Sequence, residues 1–426
     1  MLGLAATMLG VLFVLVLLGL PIVISLVAAV LMFLTLSGGW ALSLPQQVLA
    51  GVGDYLLITL PLFILAGGLM NATGIADRLF AFGAALVGWM RGGLAHVNVA
   101  SSLMFGGMIG TSVADLAGTG SVMIPKMKAS GYPGPFSAAL TATSSGVGVL
   151  IPPSSPMILY SVVTGTSLGA LFLAGVVPGL LMAGVMMVTI SILARRNGWQ
   201  PMNSFEWSRV LHTGRHAILP LGMPAMILGG LIFGIFTATE AGAFAVAYAL
   251  ALSTLVYRTL TWAKLRQALV DSAILTGEVL MVVGFSTALG WALSQAGVPM
   301  ALSAGIEGLF PTDNVTIRIF ALLLLALIAG MVLDPLIPMI MPVLLPMLIG
   351  LDVDLIHFGV LIVMTVVIGQ VTPPVAIALL VAAKIGRDDV WQVTRANMPF
   401  LWALVVALII LTLFPALSLT LPGLMN

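Results

Sequence analysis

Long apolar runs, interrupted at intervals by Gly, Pro and isolated charges, dominate the chain. Residues 2–37 contain no charged side chain, and this stretch is too long for one helix across a hydrocarbon core of about 30 Å. Gly19-Leu20-Pro21 divides it into two helices, and a third is predicted at about 55–72. Because the runs are continuous rather than alternating, they indicate membrane-spanning helices and not the strands of a barrel.

The next two segments are apolar but carry isolated charges. Residues 74–90 include Asp77 and Arg78, and we predict an interfacial helix that lies along the membrane surface. Residues 93–128 are rich in Gly, Ser and Thr, with Asp115 inside the segment and basic residues at both ends. Because basic residues favour the cytoplasmic face, both ends are placed on that face, and a re-entrant hairpin is predicted.

The same order of segments then occurs again. A helix at 135–165, broken at Gly and Pro, and a helix at 170–194 end the first half, and a polar cytoplasmic linker at 195–216 follows. The second half is predicted to contain helices at about 217–236, 240–257 and 272–296, an interfacial helix at Val298–Phe310, a hairpin at 315–349 with Asp334-Pro335 at its tip, a broken helix at 357–383 and a last helix at 397–422. We therefore predict an all-α membrane protein of two repeats, 1–194 and 217–426, each with five spanning helices and one hairpin. The odd number inverts the second repeat relative to the first.

Charge supports this topology and narrows the class of protein. The chain is 61% apolar and 7% charged, with a mean hydropathy of +1.21, whereas a soluble domain carries about 25% charged residues. In this topology all of the 15 Lys and Arg residues except Arg318 are placed on one face, which the positive-inside rule makes cytoplasmic, and both termini are then predicted to be periplasmic. The absence of Cys from the sequence excludes disulfides and thiolate metal sites.

Two Asp residues in membrane segments are the main candidates for function, because an ionisable group is costly there. Each lies in a predicted hairpin that is followed by a broken helix, and paired breaks of this kind mark the binding site of a secondary transporter. Freed carbonyls and hydroxyls can bind a hard cation such as Na⁺, and half-helix N-termini favour an anion. The candidate residues are Ser112, Asp115, Ser144, Ser145, Gly146 and Gly148 for a first Na⁺ site, Asp334, Gly369 and Thr372 for a second, and Pro152, Pro153, Ser154, Ser155, Gln370, Pro373 and Pro374 for the broken helices and substrate.

Other features carry less weight. A single Gly and Pro break is commonly a packing kink, but two such breaks, each after an Asp-bearing hairpin, favour a site. Glu240 is interpreted as a helix cap, and the four His residues lack the spacing of metal ligands. No phosphate-loop signature occurs, so no ATPase is expected. A stand-alone Na⁺/dicarboxylate carrier and a non-catalytic membrane anchor of an enzyme complex remain as alternatives, and no catalytic role is expected.

Seven segments, spread in order over nearly the whole chain, resemble the large membrane subunit of tripartite ATP-independent periplasmic (TRAP) transporters. They are 61–67 (PLFILAG), 110–115 (GTSVAD), 120–125 (GSVMIP), 151–154 (IPPS), 172–179 (FLAGVVPG), 237–241 (TATEA) and 368–374 (IGQVTPP). The resemblance implies a bacterial inner-membrane importer with Na⁺ coupling and an elevator mechanism, acting with a separate small four-helix membrane subunit and a periplasmic substrate-binding protein. It also implies organic-anion substrates, including C4-dicarboxylates and sialic acids. Pro335 departs from the family's pattern, in which many members carry Thr or another residue after the second Asp.

Overall fold

A computed structural model describes residues 1–38, 42–72, 74–309 and 314–425. Across these ranges the protein is built from α-helices joined by short connections, so the predicted all-α class is confirmed. The helices of the first half are α1 (Leu2–Leu17), α2 (Ile22–Ser37), α3 (Ser43–Val52), α4 (Thr59–Ala72, preceded by a 3₁₀ turn at Tyr55–Ile58), α5 (Ile75–Val87), α6 (Gly93–Ile109), α7 (Ser112–Ala129), α8 (Gly134–Val149), α9 (Ser155–Thr164) and α10 (Leu168–Asn197).

The second half continues in the same manner. Its helices are α11 (Trp207–Ile232), α12 (Ala238–Ala251, extended by a π-helical turn at Leu252–Val256), α13 (Trp262–Gln295), α14 (Val298–Leu309), α15 (Val315–Gly330), α16 (Ile337–Gly350), α17 (Leu355–Gln370), α18 (Ile377–Gly386), α19 (Val390–Leu413) and α20 (Ala416–Leu419). Phe310, the predicted end of the second interfacial helix, lies outside the described residues. Six helices of the described ranges are long and apolar enough to cross a membrane, so the chain is a multi-pass membrane protein.

Pairs of helices occur where the hairpins are predicted, and non-helical segments occur at both predicted breaks. Helices α6 and α7 pack on each other and meet at Gly110 and Thr111, and residues 331–336 connect α15 to α16; we call these pairs the first and second hairpins. The break between α8 and α9 covers residues 150–154, and that between α17 and α18 covers residues 371–376. Proline ends the preceding helix in each break because it cannot continue the backbone hydrogen bonds. The peptide bonds before Pro153, Pro335 and Pro374 are cis.

The two helices that precede the breaks form the centre of the molecule. Every residue of α8 from Phe136 onward is buried, and so is every residue of α17 from His357 to Gly369. A helix buried on all sides belongs to the interior of a large bundle. Gly146 of α8 faces Val367 of α17, and a Cβ atom on this glycine would lie 2.2 Å from a Val367 methyl carbon. The two buried helices therefore cross in direct contact.

Glycine also sets the contact between the first hairpin and α8. A Cβ atom on Gly106 of α6 would lie 2.1 Å from the Cα atom of Gly148 in α8, and one on Gly148 would lie 2.7 Å from the Cα atom of Gly106. Small residues let membrane helices approach backbone to backbone, where van der Waals packing holds them together. The Gly106–Gly148 crossing thus fixes the hairpin against the helix that ends in the first break.

Two predicted boundaries are wrong for the same physical reason. The predicted linker 195–216 is mostly helix, since α10 continues to Asn197 and α11 begins at Trp207, so the loop covers only residues 198–206. Likewise α13 begins at Trp262 rather than at 272, with the Thr261 hydroxyl accepting a hydrogen bond from the Lys264 backbone N–H as its cap. Polar residues suggested loops, but they occupy helical turns that extend beyond the apolar region. Helix α3 was not predicted.

An ion pair ties the first hairpin to the second half. Lys128 Nζ, in the last turn of α7, lies 2.9 Å from both carboxylate oxygens of Asp388 and donates to the Gly386 carbonyl oxygen at 2.6 Å. We expect Lys128→Met to lower the free energy of unfolding by about 1–2 kcal/mol, because the mostly buried Asp388 carboxylate loses its partner while Lys128 itself is partly exposed. Thermal melting in detergent measures the loss. Lys126→Met, at an exposed lysine of the same helix, is the control, and an equal loss there would contradict the role of the pair.

Candidate functional site

The tip of the first hairpin is hydrogen-bonded to the first break. Gly110 adopts a φ of +72°, which favours glycine, and a Cβ atom there would lie 2.5 Å from the Pro153 carbonyl oxygen. The Gly110 carbonyl oxygen accepts a hydrogen bond from the Ser155 backbone N–H at 3.1 Å. Ser154 caps α9 by accepting from the Met157 backbone N–H. The N-termini of α7 and α9 therefore meet at this tip.

Asp115 lies in the first turn of α7 and is 1% exposed. Its Oδ1 atom lies 3.0 Å from the Thr119 hydroxyl, which also donates to the Asp115 backbone carbonyl oxygen at 2.5 Å, while Oδ2 is buried without a hydrogen-bond partner. Ser102 of α6 also faces this carboxyl group. A buried carboxylate oxygen without a partner is costly, and a bound cation would remove that cost. The sequence pointed to Asp115 but not to Thr119, although a spacing of four residues places both on one helix face.

A network of buried polar side chains surrounds Asp115. The Ser102 and Ser144 hydroxyl oxygens are 3.2 Å apart, and the Ser144 hydroxyl also donates to Asn98 Oδ1 at 3.4 Å. Asn98 Nδ2 in turn donates to the Thr141 hydroxyl at 2.6 Å. All four residues are fully buried. Asn98, Ser102 and Thr141 were missed from the sequence; the spacing of Asn98 and Ser102 on one face of an apolar helix was the available signal.

The first break is shorter than the 144–156 stretch that the sequence suggested. Ser144, Ser145, Gly146 and Gly148 lie within the continuous helix α8, where backbone carbonyls accept intrahelical bonds except in the last turn. The Gly148 carbonyl oxygen accepts from the Ile151 backbone N–H. The hydroxyl of Ser145 is turned back to the Ala142 carbonyl at 2.8 Å. Of the residues predicted for the first Na⁺ site, Ser144 lies with its hydroxyl group beside that of Ser102. Ser102 in turn faces Asp115.

The second hairpin is joined to the first by one side chain. Gln370, the last residue of α17, donates from Nε2 to Asp334 Oδ2 at 3.1 Å. Its Oε1 atom accepts a hydrogen bond from the Ser112 hydroxyl at 2.6 Å, across 258 residues of sequence. Ser112 was predicted with the first site and Gln370 with the substrate. The structure brings Gln370 to Asp334, and Ser112 to Gln370.

The remaining predicted residues of the second site lie around the break. A Cβ atom on Gly369 would lie 2.9 Å from the Gly330 carbonyl, so the end of α15 packs directly on the end of α17. The Thr372 hydroxyl is turned back to the Ile368 carbonyl oxygen at 2.5 Å. Pro373 and Pro374 follow within the break. Thr372 therefore lies in the break, and its hydroxyl hydrogen is already used on the Ile368 carbonyl oxygen of α17.

A second amide, which the sequence did not reveal, holds this break from outside. Asn397 of α19 is fully buried and donates from Nδ2 to the Val371 carbonyl oxygen at 3.1 Å. Its Oδ1 atom accepts a hydrogen bond from the Thr143 hydroxyl of α8. The carbonyl at the start of the second break is therefore linked through Asn397 to α8, the helix that precedes the first break.

A cavity of about 910 Å³ opens between these hairpins and the helices α4 and α13. Ser112 and Ser155 line it at the first hairpin and break, and Asp334, Pro335 and Gln370 line it at the second. The opposite wall carries a polar stripe of α13 together with α4, comprising Asn71, Lys264, Gln267, Asp271 and Ser272. Lys264 adds a positive charge to this wall, which also carries the carboxyl group of Asp271.

The donor set suits a hard cation that takes oxygen ligands. In the described ranges no three His, Asp or Glu side chains gather as a metal cluster. What the structure offers is a carboxylate in each hairpin, with the Thr119 hydroxyl beside Asp115 and the Gln370 amide beside Asp334. Hydroxyl, carbonyl and carboxylate oxygens are the ligands of hard cations.

Glu240, predicted as a cap, forms a capping box with Thr237.

Residues 9–417 match the family described as "Tripartite ATP-independent periplasmic transporter, DctM component". The chain belongs to this family. It is 36% identical over 409 residues to the sialic acid TRAP transporter large permease protein SiaM of Vibrio cholerae, covering 95% of each chain. It is also 35% identical to the C4-dicarboxylate large permease protein DctM of Pseudomonas aeruginosa, covering 87% of this chain and 86% of that one.

A third permease and a solved structure extend the comparison. The ectoine TRAP transporter large permease protein TeaC of Halomonas elongata is 34% identical over 97% of both chains. The crystal structure of the Alcanivorax borkumensis YdaH transporter superposes with a TM-score of 0.58 at 14% identity and covers 87% of each chain. That likeness shows a shared fold only. The family expected from the seven sequence segments is confirmed, and with it a membrane transport role.

Proposed function

We propose that this chain is the large permease subunit of a Na⁺-coupled importer of an organic acid, with Na⁺ held at Asp115 and Asp334. The supporting observation is the buried Oδ2 atom of Asp115, which lacks a partner at a hairpin tip beside a large cavity. Thr119, Ser102 and Ser144 supply hydroxyls around Asp115, and Gln370 supplies an amide at Asp334. A cation at each Asp neutralises a charge that would otherwise oppose movement through the membrane.

The substrate is proposed to bind in the cavity between the two hairpins. The N-termini of α7 and α9 reach this cavity at Ser112 and Ser155, and helix N-termini favour a carboxylate. Lys264 on the opposite wall adds a positive charge. Relatives named for sialic acid, C4-dicarboxylates and ectoine indicate the range of substrates to test. All three carry a carboxylate, which matches these donors.

We propose an elevator movement because of the position of the cavity. One wall belongs to the hairpins and broken helices, and the other to α4 and α13. We assign the first group, α6–α9 and α15–α18, to a transport domain that moves against a scaffold of the remaining helices. The N-terminal part of α13 at Lys264 and Asp271 is exposed and is predicted to be cytoplasmic, which supports a conformation that releases substrate inward. The termini are proposed to be periplasmic.

We propose that partner proteins act with this chain and that one of them captures the substrate. The structure contains no large soluble domain in its described ranges, so affinity for a dilute substrate is assigned to a periplasmic binding protein. A small four-helix membrane subunit is proposed to complete the scaffold in the bacterial inner membrane. Thermal-shift screening of the binding protein against sialic acid, C4-dicarboxylates and ectoine would identify the substrate.

Reconstitution tests the proposal. Proteoliposomes containing the chain and the small subunit are supplied with the binding protein and its labelled substrate, under an inward Na⁺ gradient or an equal K⁺ gradient. We expect uptake only with Na⁺ and only with the binding protein. Uptake under K⁺ alone contradicts the Na⁺ coupling. Uptake by this chain alone, without either partner, favours the stand-alone carrier instead.

A further inference from the structure

Gln370 connects the two hairpins through a single amide group. Its Nε2 atom donates to Asp334 at 3.1 Å and its Oε1 atom accepts from the Ser112 hydroxyl at 2.6 Å. Ser112 stands in the first turn of α7, the same turn that carries Asp115. The chain of bonds from Asp334 through Gln370 to Ser112 therefore runs from one candidate Na⁺ site to the helix that carries the other.

The negative charge of Asp334 determines the direction of both hydrogen bonds, the one from Gln370 to Asp334 and the one from Ser112 to Gln370. An ionised carboxylate only accepts hydrogen bonds, so the NH₂ group of Gln370 must face Asp334. The amide oxygen then faces Ser112, whose hydroxyl must donate. The orientation of Ser112 is thus set by the charge on Asp334, although the two residues lie in different hairpins.

We propose that Gln370 relays cation occupancy of Asp334 to the first hairpin by rotation of its side-chain amide. The inference rests on the proposed function, because it requires Na⁺ at Asp334. A cation there repels the NH₂ hydrogens and attracts the amide oxygen. Rotation by half a turn presents Oε1 to the cation and Nε2 to Ser112. Ser112 then accepts a hydrogen bond, and its own hydroxyl hydrogen is released toward other acceptors of α7.

The released hydroxyl hydrogen of Ser112 affects the first Na⁺ site, at Asp115. Ser112 and Asp115 are three residues apart, a spacing that places side chains on one face of a helix. Oδ2 of Asp115 is a buried acceptor without a partner. A change in the Ser112 hydroxyl therefore alters the surroundings of Asp115 when Asp334 is occupied. Binding at the two sites becomes linked, and linkage between ligand sites is reciprocal.

Equilibrium binding of ²²Na⁺ to the purified protein tests the relay. Wild type is expected to show a Hill coefficient that differs from 1. Gln370→Met, which keeps the side-chain length but has no amide, and Ser112→Ala, which leaves the amide in place, are each expected to bring the coefficient to about 1. The double variant is expected to behave like either single variant, because residues of one chain of bonds give non-additive effects. Gln392→Met, at an exposed glutamine of α19, is the matched control and should keep the wild-type coefficient.

A second variant separates the relay from a merely structural bridge. Gln370→Glu keeps the shape but places another carboxylate beside Asp334, so it is expected to remove the linkage and to make Na⁺ binding depend on pH, since two carboxylates in one site resist joint ionisation. A wild-type coefficient of 1, an unchanged coefficient in Gln370→Met, or additive effects of Ser112→Ala and Gln370→Met overturns the relay. Failure of the proposed function has a different signature, namely no Na⁺ binding by wild type or full binding by variants of both Asp residues.

Discussion

Asp115→Asn is expected to abolish Na⁺-driven uptake while the protein remains folded and inserted. The Asp115 carboxylate is buried, with one oxygen bonded to Thr119 and the other without a partner. An amide keeps the shape but removes the negative charge that binds a cation. Loss of one partner from a buried ion pair costs about 3–5 kcal/mol, which corresponds to a loss of Na⁺ affinity of more than about 100-fold.

Uptake of the labelled substrate by reconstituted transporter measures this effect. Asp77→Asn, which changes an exposed carboxylate in the first turn of α5, is the matched control and should retain uptake. Size-exclusion profiles and melting temperatures of both variants show that folding is preserved. Full uptake by Asp115→Asn would remove Asp115 from the coupling mechanism.

The second large effect is expected at the crossing of α6 and α8. Gly106→Ala places a Cβ atom 2.1 Å from the Gly148 Cα atom and 2.3 Å from its carbonyl oxygen. Backbone atoms cannot rotate away as a side chain can, so the two helices must separate. Overpacking of a core costs about 1–3 kcal/mol or more, and this contact lies at the upper end. The separation also moves Ser102 away from Ser144, which loosens the polar network around Asp115.

Thermal melting in detergent and uptake together measure this change. Gly184→Ala is the control, since a Cβ atom there meets nothing within 4 Å and alanine favours a helix over glycine by about 0.5–1 kcal/mol. We expect a lower melting temperature and weak uptake for Gly106→Ala, and no loss for Gly184→Ala. Equal melting temperatures for the two variants would show that the hairpin is not held by close packing on α8.

Much of this architecture follows from the sequence because the bilayer limits the options. Apolar runs, helix breakers and the placement of basic residues predicted helix pairs and breaks at positions where the structure has them, and the re-entry of the hairpins into the membrane stays a prediction. Helix ends were less predictable. The α13 extension to Trp262 carries Lys264 and Gln267, and polar residues such as these are compatible with either a loop or an exposed helical turn.

The site itself could be predicted only in part. Single residues such as Asp115 are visible because a charge in an apolar segment is rare. Their partners depend on tertiary contacts between distant segments: Ser112 with Gln370, and Thr143 with Asn397. No pattern in one sequence shows which polar residues will face each other. The sequence also did not predict that Ser144 lies within the continuous helix α8. Gly and Ser residues are typical of a helix break, but they also occur in unbroken helices.

The two-site account is tested most directly by counting bound Na⁺. Equilibrium binding of ²²Na⁺ is measured on purified wild type, Asp115→Asn, Asp334→Asn and the double variant, and requires no knowledge of the substrate. The account predicts that each single variant binds one Na⁺ fewer than wild type and that the double variant loses both of these ions. Na⁺ binding by the double variant with wild-type stoichiometry and affinity would contradict it.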